Sequence, residues 1–138
     1  MFALVDHAID RAAVLAAVSD PGFGAVLVFE GVGRNHFEGR AVVGLEYEAY
    51  EAMAVPEMQK IGQEAMQRFG AKVAIVHRTG RVAIGEPSVI IATGTAHRAA
   101  CYEANRYCID ELKKRVTVWK KELYEEGGAW KANAEQDL

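Results

Sequence analysis

Two continuous apolar runs, interspersed with two long amphipathic segments, most constrain the fold of this sequence. Gly24–Phe29 and Ser88–Thr95 are rich in apolar and β-branched residues, and they predict strands buried in a sheet. Glu51–Phe69 and Ala96–Val116 place apolar residues at helical spacing. Strands that alternate with helices predict a two-layer α/β or α+β domain.

The rest of the chain predicts shorter elements. Strands are expected at Met1–Asp6, Ala41–Tyr47, Lys72–His77 and Val118–Tyr124, a helix at Asp10–Ser19, a loop at Glu30–Arg40 and a turn at Gly127–Gly128. Pro56 is tolerated only in the first turn of a helix, so the first long helix is predicted to begin near Val55 and to end at Gly70. Its apolar face is expected to contain Met58, Ile61, Ala65, Met66 and Phe69. A length of 138 residues predicts one domain over residues 1–138.

Composition and charge exclude several classes of protein. The net charge of −3 disfavours bulk nucleic-acid binding, and no apolar run approaches the roughly 20 residues that span a membrane. The N-terminal segment lacks a basic region and a cleavage pattern, so we expect a cytoplasmic protein without a signal peptide. Cys101 and Cys108 are two helical turns apart and are expected to be buried thiols. The four histidines lack ligand spacing, and no nucleotide-binding motif occurs, so neither a metal nor a cofactor is expected.

Lys113 and Lys120 are the main candidates for chemistry. They flank the predicted turn between the second long helix and the last strand. Taken singly, each is explained as a solvated cation, and Lys113 would also complement the helix dipole. Taken together, they indicate an anion-binding pocket in which one lysine binds a phosphate and the other, if desolvated, acts as a base or nucleophile.

Three further cationic segments are candidates for anion binding. His97 and Arg98 open the second long helix, where free N–H groups favour a phosphate or carboxylate; a local cap and an ion pair explain them equally well. Arg34 lies in the glycine-rich loop with Asn35 and His36, which is either a binding loop or a polar surface turn. The sequence His77-Arg78 indicates a packing and surface pair.

Short segments over Ala25–Asn133 resemble the family of the large, catalytic subunit of molybdopterin synthase. They are Gly31–His36, Leu45–Tyr50, Val76–Gly80, Thr95–Arg98, Leu112–Lys113, Trp119–Glu122 and Trp130–Asn133. The resemblance implies an α/β hammerhead fold with an additional antiparallel sheet. It also implies an enzyme that transfers sulfur from the C-terminal thiocarboxylate of a small ubiquitin-like subunit to cyclic pyranopterin monophosphate. The product of that reaction is the dithiolene of molybdopterin.

The resemblance further implies an assembly and residue roles. The family forms a central homodimer with a small subunit at each end, a heterotetramer. Lys113 matches the essential lysine beside the thiocarboxylate tail, and Lys120 the second lysine of the active site. His97 and Arg98 match the residues that hold the pterin and its phosphate, and Arg34 matches an arginine of a mobile loop that can reach the neighbouring protomer.

The sequence departs from this family at one position, and two other functions were considered. Thr117 stands where many relatives have a proline, which makes the turn between the two lysines less rigid. A non-catalytic module that docks a ubiquitin-like tail or an anionic ligand is the alternative function. An RNA-binding domain built on Lys113–Lys121 is disfavoured, because the chain is acidic and that segment has one aromatic residue.

Overall fold

The computed structural model describes residues 1–125 and 127–132 of the chain. The elements, in chain order, are β1 (Phe2–Val5), α1 (Arg11–Ala16), β2 (Ala25–Val32), β3 (His36–Phe37), β4 (Arg40–Ala49), α2 (Glu51–Phe69), β5 (Lys72–Arg78), β6 (Gly80–Val82), β7 (Pro87–Thr95), α3 (Arg98–Arg115), β8 (Val118–Tyr124) and β9 (Gly127–Ala132). The described residues form two sheets and three helices, which confirms the predicted α+β fold.

The first sheet has the strand order β1-β5-β7-β2 and carries helices on both faces. Only the β1–β5 pair is parallel. Successive residues of β5 alternate between two cores, as the twofold repeat of a strand requires. Val73 and Ile75 join the larger core under α2 and α3, whereas Ala74 and Val76 join the smaller core with Val14 of α1.

The second sheet has the order β3-β4-β8-β9, and β6 also pairs with β4. Its strand pairs are all antiparallel, which confirms the additional antiparallel sheet. Along β8 every second residue is buried: Val118, Lys120, Glu122 and Tyr124. The buried face of this sheet therefore contains a lysine and a glutamate as well as apolar side chains.

The predicted start of the first long helix was wrong. Helix α2 begins at Glu51, after the extended residue Tyr50, and Pro56 lies inside it rather than in its first turn. Proline costs a helix one hydrogen bond and crowds the preceding turn. Burial of Ala54 and Met58 on either side of Pro56 fixes this stretch against the core, and such packing outweighs the local preference. The end of α2 at Gly70, in the left-handed conformation with φ 65°, confirms the predicted stop.

Four further expectations differ from the structure. The predicted loop at Glu30–Arg40 contains the end of β2, all of β3 and the start of β4, and the predicted turn at Gly127–Gly128 begins β9. Strand β2 is an edge strand, so Val26 is half exposed instead of buried. Met66, which we expected on the apolar face of α2, is 57% exposed.

Candidate active site

Lys113 lies in the last turn of α3, where the chain leaves the helix and enters β8. Its neighbours Leu112 and Val116 are buried, whereas Lys113 is half-buried. Val116 ends the helix in an extended conformation, with φ −88° and ψ 128°. A following proline would impose this same conformation, so the turn keeps its shape with Thr117 in that place.

Lys120 is buried in the second sheet, with 5% of its surface exposed. Its Nζ lies 3.4 Å from Oε1 of Glu122, which is also buried, and the Tyr124 hydroxyl donates a hydrogen bond to Glu122. A buried ammonium is tolerated only when paired, because desolvation of an isolated charge costs several kcal/mol. Glu122 therefore compensates the charge of Lys120.

Tyr47 and His77 are buried rings in the neighbourhood of the two lysines. Tyr47 on β4 is the cross-strand partner of Lys120 on β8, so both side chains lie on the buried face of the sheet. The rings of Tyr47 and His77 meet edge to face, with centroids 5.2 Å apart. His77 in turn is close enough to Lys113 for the lysine's charge to act on it. The Tyr47 ring thus lies beside Lys120, and the His77 ring is within range of the charge of Lys113.

Burial sets the protonation state of both rings. The pKa of His77 is lowered to about 4, mainly because burial disfavours the imidazolium and also because of the positive charge of Lys113. The Arg78 carbonyl opposes this shift, because it accepts a hydrogen bond from Nδ1 at 2.9 Å. Burial likewise raises the pKa of Tyr47, and the nearby Ser88 hydroxyl partly opposes that effect. Both side chains are therefore uncharged at neutral pH.

Arg34 and Lys120 line the same small cavity. Its walls also include Tyr47 and Glu122, and its volume of about 20 Å³ is enough for about one water molecule. Arg34 itself is exposed and lies between β2 and β3, at the mouth of this space. The structure therefore brings Arg34 beside Lys120 within a single chain. The cavity that they line is too small for any larger ligand.

His97 and Arg98 lie at the opposite end of α3 from Lys113. They are exposed beside Gly24 and Ala96, around an open cavity of about 490 Å³. The Thr95 hydroxyl donates a hydrogen bond of 2.6 Å to the His97 carbonyl and fixes the entry into the helix. Lys113 lies fifteen positions after Arg98 in the helix, which corresponds to a rise of about 22 Å. One chain by itself therefore does not bring all five predicted residues into one pocket.

Glu122, Tyr47 and His77 were not predicted from the sequence as residues of the site. The signal for Glu122 was available, because the twofold repeat of β8 places Glu122 on the same face as Lys120 and the apolar Val118. Tyr47 and His77 become neighbours only through the packing of β4 against β5, which no local pattern predicts.

The remaining polar groups offer little other chemistry. In residues 1–125 and 127–132, no three His, Cys, Asp or Glu side chains lie close enough to hold a metal ion. Cys101 and Cys108 are buried free thiols, as predicted. Burial raises the pKa of Cys108 to about 12, so this thiol is not a nucleophile at neutral pH. None of the helices in the described ranges has the length and apolarity to cross a membrane.

The fold and site together define a class: an α+β protein in which one lysine at a helix end and one lysine on a strand lie near the buried rings of Tyr47 and His77. The family model described as MoaE protein matches residues 4–115, and the chain belongs to this family.

Related proteins support this membership. The chain is 50% identical over 119 residues to a human molybdopterin synthase catalytic subunit, covering 86% of this chain and 63% of the human protein. It is 46% identical over 128 residues to the rice protein of the same name, covering 92% and 66%. The chain thus spans about two thirds of the length of these relatives or slightly less. A solved structure of molybdopterin synthase from Staphylococcus aureus superposes with a TM-score of 0.91 at 37% identity, covering 94% of this chain and 96% of the other.

Proposed function

We propose that this chain is the catalytic large subunit of a molybdopterin synthase and acts in the cytoplasm. Its reaction would transfer sulfur from the C-terminal thiocarboxylate of a small ubiquitin-like subunit to cyclic pyranopterin monophosphate, forming the dithiolene. The observation that carries this proposal is the approach of a half-buried and a buried lysine to one pair of uncharged rings, in a chain of the MoaE family. A lysine amine beside the reacting atoms can donate or accept a proton, which sulfur transfer to carbon requires.

Each candidate residue then has a role in the proposed reaction. Lys113 orients the thiocarboxylate tail and either stabilises developing negative charge or transfers protons. Lys120 binds the anionic substrate, with its own charge compensated by Glu122 at 3.4 Å. Arg34 adds a cation at the mouth of the cavity beside Lys120. His97 and Arg98 bind the pterin and its phosphate at the N-terminal end of α3, where free N–H groups favour anions.

A homodimer explains how both ends of α3 could act on one substrate. In one chain, Arg98 and Lys113 are about 22 Å apart along the helix, too far for a single pterin to contact both. A twofold axis can bring the N-terminal end of α3 from one protomer to the C-terminal end of α3 from its partner. We propose that the active site is shared in this way, within a heterotetramer that carries a small subunit at each end.

A reconstituted reaction tests the proposed function. The full chain would be mixed with thiocarboxylated small subunit and cyclic pyranopterin monophosphate, and dithiolene product would be measured by mass spectrometry. The matched control is the same small subunit with an ordinary C-terminal carboxylate, which can dock but cannot donate sulfur. Product that depends on the thiocarboxylate supports the proposal. Absence of product from a stable complex would favour the non-catalytic docking module instead.

A further inference from the structure

The buried face of β8 carries three polar side chains in a row. Lys120, Glu122 and Tyr124 occupy alternate positions of the strand, and they are 5%, 2% and 8% exposed. Alternate residues of a strand lie on the same face, roughly 7 Å apart along the backbone. The proposed reaction gives a role to Lys120 and Glu122 but none to Tyr124. The contacts of Tyr124 therefore indicate whether its hydroxyl contributes to the site.

The Tyr124 hydroxyl binds one oxygen of Glu122. The hydroxyl oxygen lies 2.5 Å from Oε2 of Glu122, a distance typical of a hydrogen bond between a hydroxyl and a charged carboxylate. An ionised carboxylate has no proton to donate, so the hydroxyl is the donor. This short hydrogen bond fixes the orientation of the carboxylate on the buried face of the sheet.

The other oxygen of Glu122 faces Lys120. Oε1 lies 3.4 Å from Nζ of Lys120. This distance is longer than the roughly 2.7–2.9 Å of a short hydrogen bond between an ammonium and a carboxylate. The two oxygens of one carboxylate therefore differ in their partners, because one makes a short bond with a hydroxyl and the other makes a looser pair with a lysine.

The ring of Tyr124 is itself held in place by Arg40. The guanidinium carbon of Arg40 lies 3.6 Å from the ring centroid, close enough for a cation–π interaction. Among the described residues, Glu122 lines the small cavity beside Lys120 and Arg34, whereas Tyr124 does not. Tyr124 is thus placed to act on Lys120 through the carboxylate and not through the cavity.

We propose that Tyr124 is a positioning residue for Lys120: its hydroxyl engages one oxygen of Glu122 and so limits how closely the carboxylate can compete with the substrate anion for the lysine. The proposal rests on the proposed role of Lys120 in substrate binding. It assigns to Tyr124 no contact with substrate and no covalent step. The competing explanation is that the hydroxyl only satisfies a buried carboxylate and has no effect on Lys120.

Tyr124→Phe separates these explanations in steady-state kinetics, because it removes only the hydroxyl and keeps the ring over Arg40. Oε2 of Glu122 loses its donor, so the carboxylate can turn toward Lys120 and compete more strongly with the anionic substrate. We expect the KM for cyclic pyranopterin monophosphate to rise roughly 3- to 10-fold, less than direct loss of a hydrogen bond to a charged group costs. The kcat should stay within about twofold, as expected when only ground-state binding is lost. An unchanged KM would contradict the proposal, whether or not kcat falls.

A direct measurement on Lys120 needs no turnover. In protein with ¹³C at Cε of lysine, the resonance of Lys120, identified by its loss in Lys120→Arg, reports the surroundings of the ammonium group. We expect this resonance to shift in Tyr124→Phe. Tyr107→Phe is the matched control, because the Tyr107 hydroxyl also donates to a carboxylate that pairs with a cation, that of Glu64 with Arg115. This control should leave the Lys120 resonance in place.

The same measurement in a Glu122→Gln background tests the route through the carboxylate. No carboxylate charge remains there, so the further change Tyr124→Phe should move the Lys120 resonance less than about half as far as it does in the unmodified protein. Equal shifts in both backgrounds would mean that Tyr124 acts on Lys120 through packing. No shift in either would mean that it does not act on Lys120. Each of these two results would overturn the proposal.

A measurement on glutamate stays informative if Glu122→Gln does not fold. In protein with ¹³C at Cδ of glutamate, the resonance of Glu122 should move in Tyr124→Phe and stay in place in Tyr107→Phe. A Glu122 resonance that ignores Tyr124→Phe would contradict the proposal. Failure of the proposed function would appear instead as absence of product from the unmodified chain, so the two failures are distinguishable.

Discussion

At the scale of single residues, the site depends on charges placed where water is largely excluded. Lys120 and Glu122 form an ion pair in which both side chains are at most 6% exposed. Such a pair contributes little net stability compared with apolar residues, but loss of one partner leaves an uncompensated charge. The pair is therefore better explained by the requirement for a cation at this place than by stability.

The Glu122 carboxylate offers a test of this explanation. Glu122→Gln removes the counter-charge of Lys120, so we expect the free energy of unfolding to fall by roughly 3 kcal/mol. Glu48→Gln, on the exposed face of the neighbouring strand β4, should change it by less than about 0.5 kcal/mol. Urea titration measures both variants. A loss in Glu122→Gln no larger than that in Glu48→Gln would mean that the ion pair is solvated in solution.

The buried imidazole of His77 predicts a particular dependence of stability on pH. Its pKa in the folded chain, about 4, is below the ordinary value of 6.5, so the unfolded chain binds more protons between these values. Stability should therefore fall by about 3 kcal/mol as the pH decreases from 6.5 to 4. Urea titrations at several pH values measure this slope.

His77→Gln is the control for the pH dependence, because glutamine does not titrate. The pKa of Glu64 is lowered to about 2, mainly by Arg115. Its effect on stability therefore falls at lower pH, between 2 and the ordinary value of 4.5. The two effects can thus be separated. An unchanged slope between pH 4 and 6.5 in His77→Gln would show that other groups cause it.

At the scale of elements, the position of Lys113 depends on how α3 is attached to α2. Arg115, two residues beyond Lys113, makes ion pairs of 2.7 Å with Glu57 and 2.6 Å with Glu64 of α2. Glu64 also accepts a hydrogen bond from the Tyr107 hydroxyl. These contacts hold the C-terminal end of α3 against α2, which fixes where the chain enters β8.

Arg115→Lys tests the contribution of this attachment. Lysine keeps the charge but cannot bind two carboxylates with a planar guanidinium, so we expect a loss of about 1 kcal/mol in the free energy of unfolding. Arg106→Lys, in the exposed pair with Asp110 on the same helix, is the matched control and should be nearly neutral. Thermal unfolding of both variants gives the comparison. If the two variants unfold alike, the ion pairs of Arg115 with Glu57 and Glu64 are not a source of stability.

The elements also show what sequence can and cannot predict here. Strands β5 and β7 and the end of α2 were predictable, because apolar runs and a terminal glycine are local signals. The start of α2 was not, because the burial of Ala54 and Met58 outweighs the effect of Pro56. The lysines were predictable as candidates from their spacing. Their shared environment of Tyr47 and His77 was not, because it is formed by strands far apart in the chain.

At the scale of the whole molecule, the roles proposed for His97, Arg98 and Lys113 require that two chains share a site, because these residues are far apart within one chain. Mixing two inactive variants tests this. In Lys113→Ala mixed with Arg98→Ala, a mixed dimer has one site with both changes and one with neither, so about a quarter of the activity should return after random exchange of protomers. A mixture that stays inactive despite verified exchange would show that each site uses both residues from one chain.

The proposed reaction depends most on the amine of Lys113, which takes part in sulfur transfer. The most direct measurement is single-turnover formation of dithiolene by Lys113→Ala, compared with Lys114→Ala, in complexes with thiocarboxylated small subunit. Lys114 is the adjacent, exposed lysine of the same helix turn, with 72% of its side chain accessible. We expect Lys113→Ala to fold and bind the small subunit but to form no product, whereas Lys114→Ala should be as active as the unmodified protein. Product formation by Lys113→Ala at the unmodified rate would contradict this expectation.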